Sequence, residues 1–561
     1  MVRSPVGAVG NGSVSLVPSS ERTYAVRTGA VQPSAAPSPS DGLGLSHTPS
    51  PSRALGLAGS DRAALAAAVA TLTAPGLAHV VDLVAWVADG WLNVANAAGS
   101  ARLPVTAPAG AWQVLAGRNP VERQDPMHGV PRASALADPS PPNERNSYPL
   151  AGPRLLSVFA DPTRSPDLVV VHTAGHYWPD RGGHRGEHGS LDAGQSRAPL
   201  LLSGAGVRAR GLLARHARVI DLAPTLAALA GAPMPDVEGT SLAELLEADL
   251  AASPPRHVVG LLWDGTNCND LLELVREGKL PNVARLLGRG CALTGGAIAE
   301  FPSVTLTNHT SALTGVGPGR HGILNNVYFD RAAGEQVVTN EVRVWHKACD
   351  HLRPGVRTVF EAIGAARPGV MTACVNEPID RGATYSTFEL VRAMESLDGP
   401  GGIADHLPSD DNDPHTSHDW TAADSDYAWS SRVDALGLRQ MLDLWANGEP
   451  PAFTWWNTTA TDTGHHGGGP YSPQSRASML DADRRLGAFL DLVEARGLTE
   501  QTTVVLTADH GSEAARPNCL GDWDEALRAA GIDFRDEGYG FLYLGDLGGQ
   551  LPPEPRRSTE G

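Results

Sequence analysis

Short apolar runs alternate with helical periodicities along most of the chain. Between residues 54 and 248 the runs "LAHVVDLVAWV", "PDLVVVHTAG" and "APLLLSGAG" read as buried strands, and "VIDLAPTLAALAG" reads as a helix closed by Gly231. A second series starts at "HVVGLLWDG" (257–265), a strand ending in Asp264, with a helix through "LLELVREG" behind it. "PAFTWWNTT" (451–459) is a further strand. Ser472 to Gly497 carries helix-start and helix-stop residues, with Met479, Leu486, Phe489, Leu490 and Val493 on one face. "TTVVLTADHG" is a strand that ends in Asp509 and His510. Strands alternating with helices predict an α/β fold, a central and mostly parallel sheet flanked by helices on both faces. Ligand sites in such folds lie beyond the strand C-termini.

Composition divides the chain further. Residues 1–52 are rich in Ser, Pro, Gly and Ala and are expected to be disordered. Residues 249–256, within "EADLAASPPR", read as a linker between 54–248 and 257–548, and 549–561 as a flexible tail. Residues 326–450 have the character of an insertion. No apolar run reaches the roughly 18 residues of a membrane helix, and no charged segment followed by an apolar one opens the chain. The expected location is the cytoplasm, with no membrane contact. A formal charge of −18 argues against a nucleic-acid polymer as partner. A small phosphorylated substrate stays compatible with it, because a bound metal supplies positive charge locally. Five scattered cysteines give neither a disulfide framework nor a CxxC pair, so any metal ligands are His and carboxylates.

Three clusters in the second half sit at predicted strand ends. Asp264 is either a turn or helix cap or a ligand. In "FPSVTLTNHTSALTGVGPGRHGI" (301–323), Thr305 either caps a buried helix or is a nucleophile that needs metal activation, with Asn308 donating to an oxyanion. Asp462 and His466 stand four apart on a glycine-rich loop, "TDTGHHGGGP", and Asp509 and His510 are adjacent in "TADHG". Each pair alone is as readily structural. Together they suit Zn²⁺ or Mn²⁺.

"FPSVTLTNHTSALTG", "DTGHHGGGP" and "TADHG", preceded by a strand-end Asp, resemble the type I phosphodiesterase/nucleotide pyrophosphatase branch of the alkaline phosphatase superfamily. That resemblance implies an alkaline phosphatase-like fold and two divalent ions. Asp264, Thr305, Asp509 and His510 would bind one ion. Asp462 and His466 would bind the other, and Asn308 would hold a phosphate oxygen. His465 departs from the family, which has glycine there.

The family also needs a third histidine for the second ion, after the "ADHG" strand and before one like "APLLLSG". No histidine follows His510, and the matching segment is "GEHGSLDAGQSRAPLLLSGAG", which supplies His188. The expectation is a circular permutation in which residues 54–248 complete the domain begun at 257. Two incomplete copies completing one another between chains, or an accidental fusion, are the rivals. His184 is second to the site or simply loop, and His172 and His176 are core or surface groups. "DHLPSDDNDPHTSHDW" (405–420) reads as a solvated loop, and Trp345, Trp420 and Trp429 as core packing or stacking surfaces. The implied reaction is hydrolysis of a phosphodiester or nucleotide pyrophosphate through a phosphothreonine on Thr305. Phosphomonoesters, phosphonates, sulfate esters, or an inactive metal-binding relative are the alternatives.

Overall fold

His257–Trp263 is apolar almost throughout because both of its faces are covered. Val258 and Leu262 enter one hydrophobic cluster, and Val259, Leu261 and Trp263 enter another, as the two-residue period of a strand requires. The computed structural model describes residues 59–127, 146–178, 183–398, 413–421 and 424–545. The segment 1–52, expected to be disordered, and 549–561, expected to be a flexible tail, lie outside them.

The first half supplies β1 (Val81–Ala88), β2 (Trp91–Asn96), β3 (Gly99–Pro104), β4 (Gln113–Gly117), β5 (Leu168–His172), β6 (Gly186–Glu187), β7 (Arg197–Gly204), β8 (Gly211–Leu213) and β9 (Ala217–Arg218). Next come β10 (His257–Trp263), β11 (Gly290–Ile298), β12 (Val327–Asp330), β13 (Glu335–Val338), β14 (Thr372–Val375) and β15 (Tyr385–Ser386). The series ends with β16 (Phe453–Thr458), β17 (Thr502–Thr507), β18 (Glu513–Ala514), β19 (Phe534–Asp536) and β20 (Phe541–Leu544).

The central sheet has nine strands in the order β15-β14-β16-β10-β17-β7-β11-β8, with β9 also on β11. β10 pairs in parallel with β16 (Val258↔Phe453) and with β17 (Val258↔Thr503). β7 lies antiparallel between β17 and β11, so a strand from before the 249–256 linker is built into the middle of the later series. On one face pack the helices Leu222–Leu229, Thr305–Thr314 and Val359–Ala366. On the other pack Cys268–Arg276, Ser425–Ala446 and Pro473–Ala495. The mostly parallel sheet with two helical layers is therefore present.

A second sheet was not anticipated. It is antiparallel throughout, seven strands in the order β19-β20-β5-β1-β2-β3-β4. Its signal is the Asp89-Gly90 dipeptide between β1 and β2, where both residues take positive φ (51° and 80°), the requirement of a tight hairpin turn. The helix Gly59–Leu72 covers this sheet, with Leu65, Ala68 and Leu72 packed in one cluster with Leu168, Val170, Trp523, Leu527 and Leu542.

Two further expectations change. The 326–450 region is only partly peripheral, since β14 and β15 extend the central sheet beside β16. The described part of 405–420 is not a solvated loop: Asp413 ion-pairs at 3.0 Å with Arg485, a fully buried guanidinium that needs a carboxylate. Trp345 packs against Phe388 and Trp429 at ring distances of 6.4 and 5.9 Å. His172 and His176 are buried.

Candidate active site

Asp264 leaves the C-terminal end of β10, and Asp509 and His510 leave that of β17, so parallel pairing alone brings the three together. Gly265 then turns the chain at φ 63°. A Cβ there would meet Asp462 Oδ1 at 2.2 Å, so the close approach of the 462 segment demands glycine. The Gly265 N–H donates to Asp509 Oδ1 at 3.0 Å, and the Thr461 hydroxyl donates to the Asp264 carbonyl at 2.7 Å.

The glycine-rich stretch read as a loop is a helix, Ala460–Gly468. Four residues are about one helical turn, so Asp462 and His466 share a face. Asp462 Oδ2 lies 3.2 Å from His466 Nε2. His465 faces elsewhere: its Nδ1 is 2.7 Å from the Thr461 carbonyl, and its Nε2 accepts from Asn267 N at 3.4 Å.

His188, from the first half, lies in the same place. Its Nε2 is 3.3 Å from His466 Nε2, and its ring stacks on His510 with centroids 3.8 Å apart. Its Nδ1 is 2.9 Å from the Ser303 carbonyl, two residues before Thr305, and Gly189 N–H donates to Ser303 Oγ. The β6–β18 pairing (Glu187↔Glu513) fixes this turn against the segment after His510.

Ligand atoms of His188, Asp462 and His466 lie within 4.8 Å of one another, as do those of Asp264, Asp462 and His510. Asp264 Oδ1 and Asp462 Oδ1 are buried without a hydrogen-bond partner among the described residues, while the equally buried Asp509 Oδ2 and His510 Nε2 form an ion pair with each other at 3.0 Å. Buried carboxylate oxygens left unpaired are costly. Hard oxygens beside imidazole nitrogens are the donor set of Zn²⁺ or Mn²⁺, so the residues fit such ions.

Charge is balanced internally by protons. Burial, then the neighbouring Asp509 and Asp462, push the Asp264 carboxyl up to about 8. Burial opposes the charge of His510 and His466, yet Asp509 and Asp462 prevail and lift them to about 9 and about 10. Burial works against Asp509 too, but His510 brings it to about 2. His188 is driven down to about 3 by burial and by His510, which leaves a neutral imidazole suited to ligation.

Thr305 opens the helix Thr305–Thr314. Val304 is the N-cap, so the threonine is not the cap, and its hydroxyl makes no hydrogen bond among the described residues. Asn308 corrects an expectation. Its Oδ1 accepts from Glu300 N at 2.7 Å, and its Nδ2 donates to the carbonyls of Pro302 (3.1 Å) and Val304 (3.0 Å). Fully buried, this amide holds the 300–304 turn and has no donor left for a phosphate oxygen. The better-placed amide is Asn326. Its Oδ1 accepts from Leu306 N at 3.2 Å, beside Thr305, and its Nδ2 finds no acceptor among the described residues. No short spacing marked it, since it comes from the loop before β12.

His309 and Glu377 were also missed. His309 sits one helical turn after Thr305, with Nδ1 2.8 Å from Glu377 Oε2 and Nε2 3.6 Å from both Asp264 Oδ2 and Asp509 Oδ2. Glu377 is held in turn by Trp455 Nε1 (3.0 Å) and Ile379 N (3.0 Å). Only the histidine was visible in the motif; its carboxylate partner is 68 positions away.

Fold and side chains together define an α/β protein with paired carboxylate–imidazole sites at the C-terminal ends of parallel strands. The chain belongs to the type I phosphodiesterase/nucleotide pyrophosphatase family, a branch of the alkaline phosphatase superfamily. The family model matches residues 258–559, more than half of the 561. Human ectonucleotide pyrophosphatase/phosphodiesterase family member 7 is 24% identical over 263 residues, 46% of this chain and 48% of that protein. An uncharacterized pyrophosphatase/phosphodiesterase of Schizosaccharomyces pombe is 21% identical over 260 residues, 46% of each chain. The alkaline phosphatase PafA of Elizabethkingia meningoseptica is 33% identical over 87 residues, 16% of each. The chain thus spans about half the length of the first two relatives. Among solved structures, murine ectonucleotide pyrophosphatase/phosphodiesterase 5 overlaps with a TM-score of 0.35 at 16% identity, covering 50% of this chain and 64% of that one. Among the described residues, no helix is long and apolar enough to cross a membrane.

Proposed function

We propose that the chain is a metal-dependent hydrolase of phosphodiester or nucleotide pyrophosphate bonds, with Thr305 as nucleophile and a site completed by His188 of the same chain. The observation that carries this reading is the convergence of Asp264, Asp462, Asp509, His188, His466 and His510, with Asp264 Oδ1 and Asp462 Oδ1 buried and without a hydrogen-bond partner, while Thr305 opens a helix with a hydroxyl that makes no hydrogen bond among the described residues.

Asp264, Asp509, His510 and Thr305 would hold one divalent ion, and Asp462, His466 and His188 the other, Zn²⁺ or Mn²⁺. Such ions supply electrostatic stabilisation of phosphoryl charge and lower the pKa of hydroxyl groups at the site. Thr305 Oγ, having given its proton to solvent water, would attack phosphorus in line; the P–O bond to the leaving group breaks, the departing alkoxide or phosphate takes up a proton from water, and the phosphoryl group stays esterified to the threonine. Water then attacks phosphorus and returns the threonine hydroxyl. Asn326 Nδ2 donates to a non-bridging oxygen, and the N-terminal end of the Thr305–Thr314 helix faces the anion with its positive dipole. Glu377, through His309, orients the Asp264 and Asp509 carboxylates, as outer partners of metal ligands do.

The order of the motifs supports a circular permutation, because β7 and His188 precede in sequence the strands they complete in space. Bis-p-nitrophenyl phosphate tests the activity, with phosphomonoester, phosphonate and sulfate-ester substrates beside it to fix the class. The Zn²⁺-loaded protein is expected to hydrolyse the diester, and Thr305→Ala to lose at least about 10³-fold of kcat while keeping its metal. Absence of turnover on every phosphoester by the loaded protein overturns the reading.

A further inference from the structure

His466 faces two sets of ligands. Its Nδ1 is held by the Gly186 carbonyl at 2.8 Å, which leaves Nε2 for a cation. On one side stand His188 and Asp462. On the other stand His184 and Glu187, and ligand atoms of His184, Glu187 and His466 also lie within 4.8 Å of one another. The His184 and His466 rings are 4.0 Å apart between centroids.

This second set is built, not incidental to a loop. Arg185 N–H donates to the His466 carbonyl at 2.6 Å, and Ala515 N–H donates to the Arg185 carbonyl at 2.9 Å. Gly186 runs so close to the 460–468 helix that a Cβ would meet the His465 carbonyl oxygen at 2.3 Å. Glu187 is 2% exposed, and its Oε1 lies 3.2 Å from His184 Nδ1, on the same side as His466, with no further hydrogen-bond partner among the described residues. A buried carboxylate oxygen turned toward two imidazoles is a place for a cation. Two nitrogens and one oxygen favour a borderline transition metal over Mg²⁺ or Ca²⁺. His184 is the half-exposed member, so the set opens toward solvent while His188 lies behind it, 2% exposed.

We propose that His184, Glu187 and His466 form an outer cation station through which a divalent transition metal reaches the His188–Asp462–His466 position. With one free nitrogen, His466 serves one set at a time, and the ion passes between them by exchanging His184 and Glu187 for His188 and Asp462. The inference rests on the two-metal reading above for its inner position.

The test is Co²⁺ and Zn²⁺ binding to the full chain by chelator competition, read as stoichiometry, affinity and uptake rate, independently of hydrolysis. Wild type is expected to bind two equivalents. His188→Ala, with Asp462→Asn as a second way of disabling the inner set, should keep a weakened second equivalent. Adding His184→Ala or Glu187→Gln should weaken it by a further tenfold or so, the scale of losing a metal contact. His184→Ala alone should keep two equivalents and slow uptake of the second by about the same factor. Equal second-site affinity with and without His184 in the His188→Ala and Asp462→Asn backgrounds overturns the station and leaves the hydrolase reading standing. Wild type that binds no second equivalent overturns both.

Discussion

Two asparagines near Thr305 separate scaffold from chemistry at the scale of single residues. Asn308 stood in the motif, and it spends its amide on the backbone of residues 300–304. Asn326 accepts from Leu306 N, next in sequence to Thr305, the proposed nucleophile, and its Nδ2 finds no acceptor among the described residues. Asn326→Ala is therefore expected to lower kcat by about 10²- to 10³-fold, the usual cost of one oxyanion donor, with little change in melting temperature. Asn308→Ala should instead cost about 1–3 kcal/mol of stability, because it leaves the Glu300 N–H buried and unpaired. Steady-state kinetics beside thermal unfolding separates them, and a purely kinetic Asn308 phenotype would reverse the assignment.

The protons on His466 and His510 give a pH prediction at the same scale. Their folded values of about 10 and about 9 lie above the ordinary 6.5. In the metal-free protein the stability from these pairs is complete below 6.5 and is lost as pH rises through 9 and 10. A metal must displace the same protons, one imidazole proton to each ion, so each apparent affinity should climb with pH by about tenfold per unit for the proton released. Chelator competition between about pH 6 and pH 8 measures the slope. A flat profile would mean that the metal does not bind through these imidazoles.

Among elements, the helix Ala460–Gly468 decides the most. Its glycines disguised it as a loop, because glycine is a poor helix former. The helix forms because neighbours press on it: Cβ atoms at Gly464 and Gly468 would meet Ser478 Oγ and Ser472 Oγ at 2.4 and 2.1 Å. Gly265 makes the matching demand from β10. Gly265→Ala would place a methyl against Asp462 and hold an L-residue at positive φ. We expect a loss of about 1–2 kcal/mol in stability and weaker binding of metal at Asp462. Unchanged metal affinity in a folded Gly265→Ala protein would show that the approach is not limiting. The antiparallel sheet was half legible, through Asp89-Gly90; its pairing with β19 and β20 was not, since those strands lie more than 360 positions beyond β5.

Over the whole molecule, the ends of the described chain meet. The helix Gly59–Leu72 packs with Leu542 of β20, and the 249–256 segment runs directly into β10. A rearranged gene that starts at Arg256, runs to the present C-terminus and continues through a flexible linker into Gly59–Ser253 should therefore fold. It is expected to unfold cooperatively and to bind the same number of metal equivalents as the original. Failure to fold with several linker lengths would count against the permutation. Mixing His188→Ala with Thr305→Ala should restore no activity, whereas halves exchanged between chains would restore it.

The sequence by itself determined the strand-end carboxylates and the nucleophile candidate, because these are local: a motif keeps its residue types and spacing wherever it folds, whereas His188 was expected only through the family resemblance. It also determined the two-faced burial of β10, which follows from an unbroken apolar run. Only the tertiary structure decided that His188 meets His466, that Asn326 rather than Asn308 keeps a free donor, and that Glu377 stands behind His309. Those pairings join residues far apart in the chain, and nothing local encodes them. They are set by which strands share a sheet and by which buried polar atoms must then find partners.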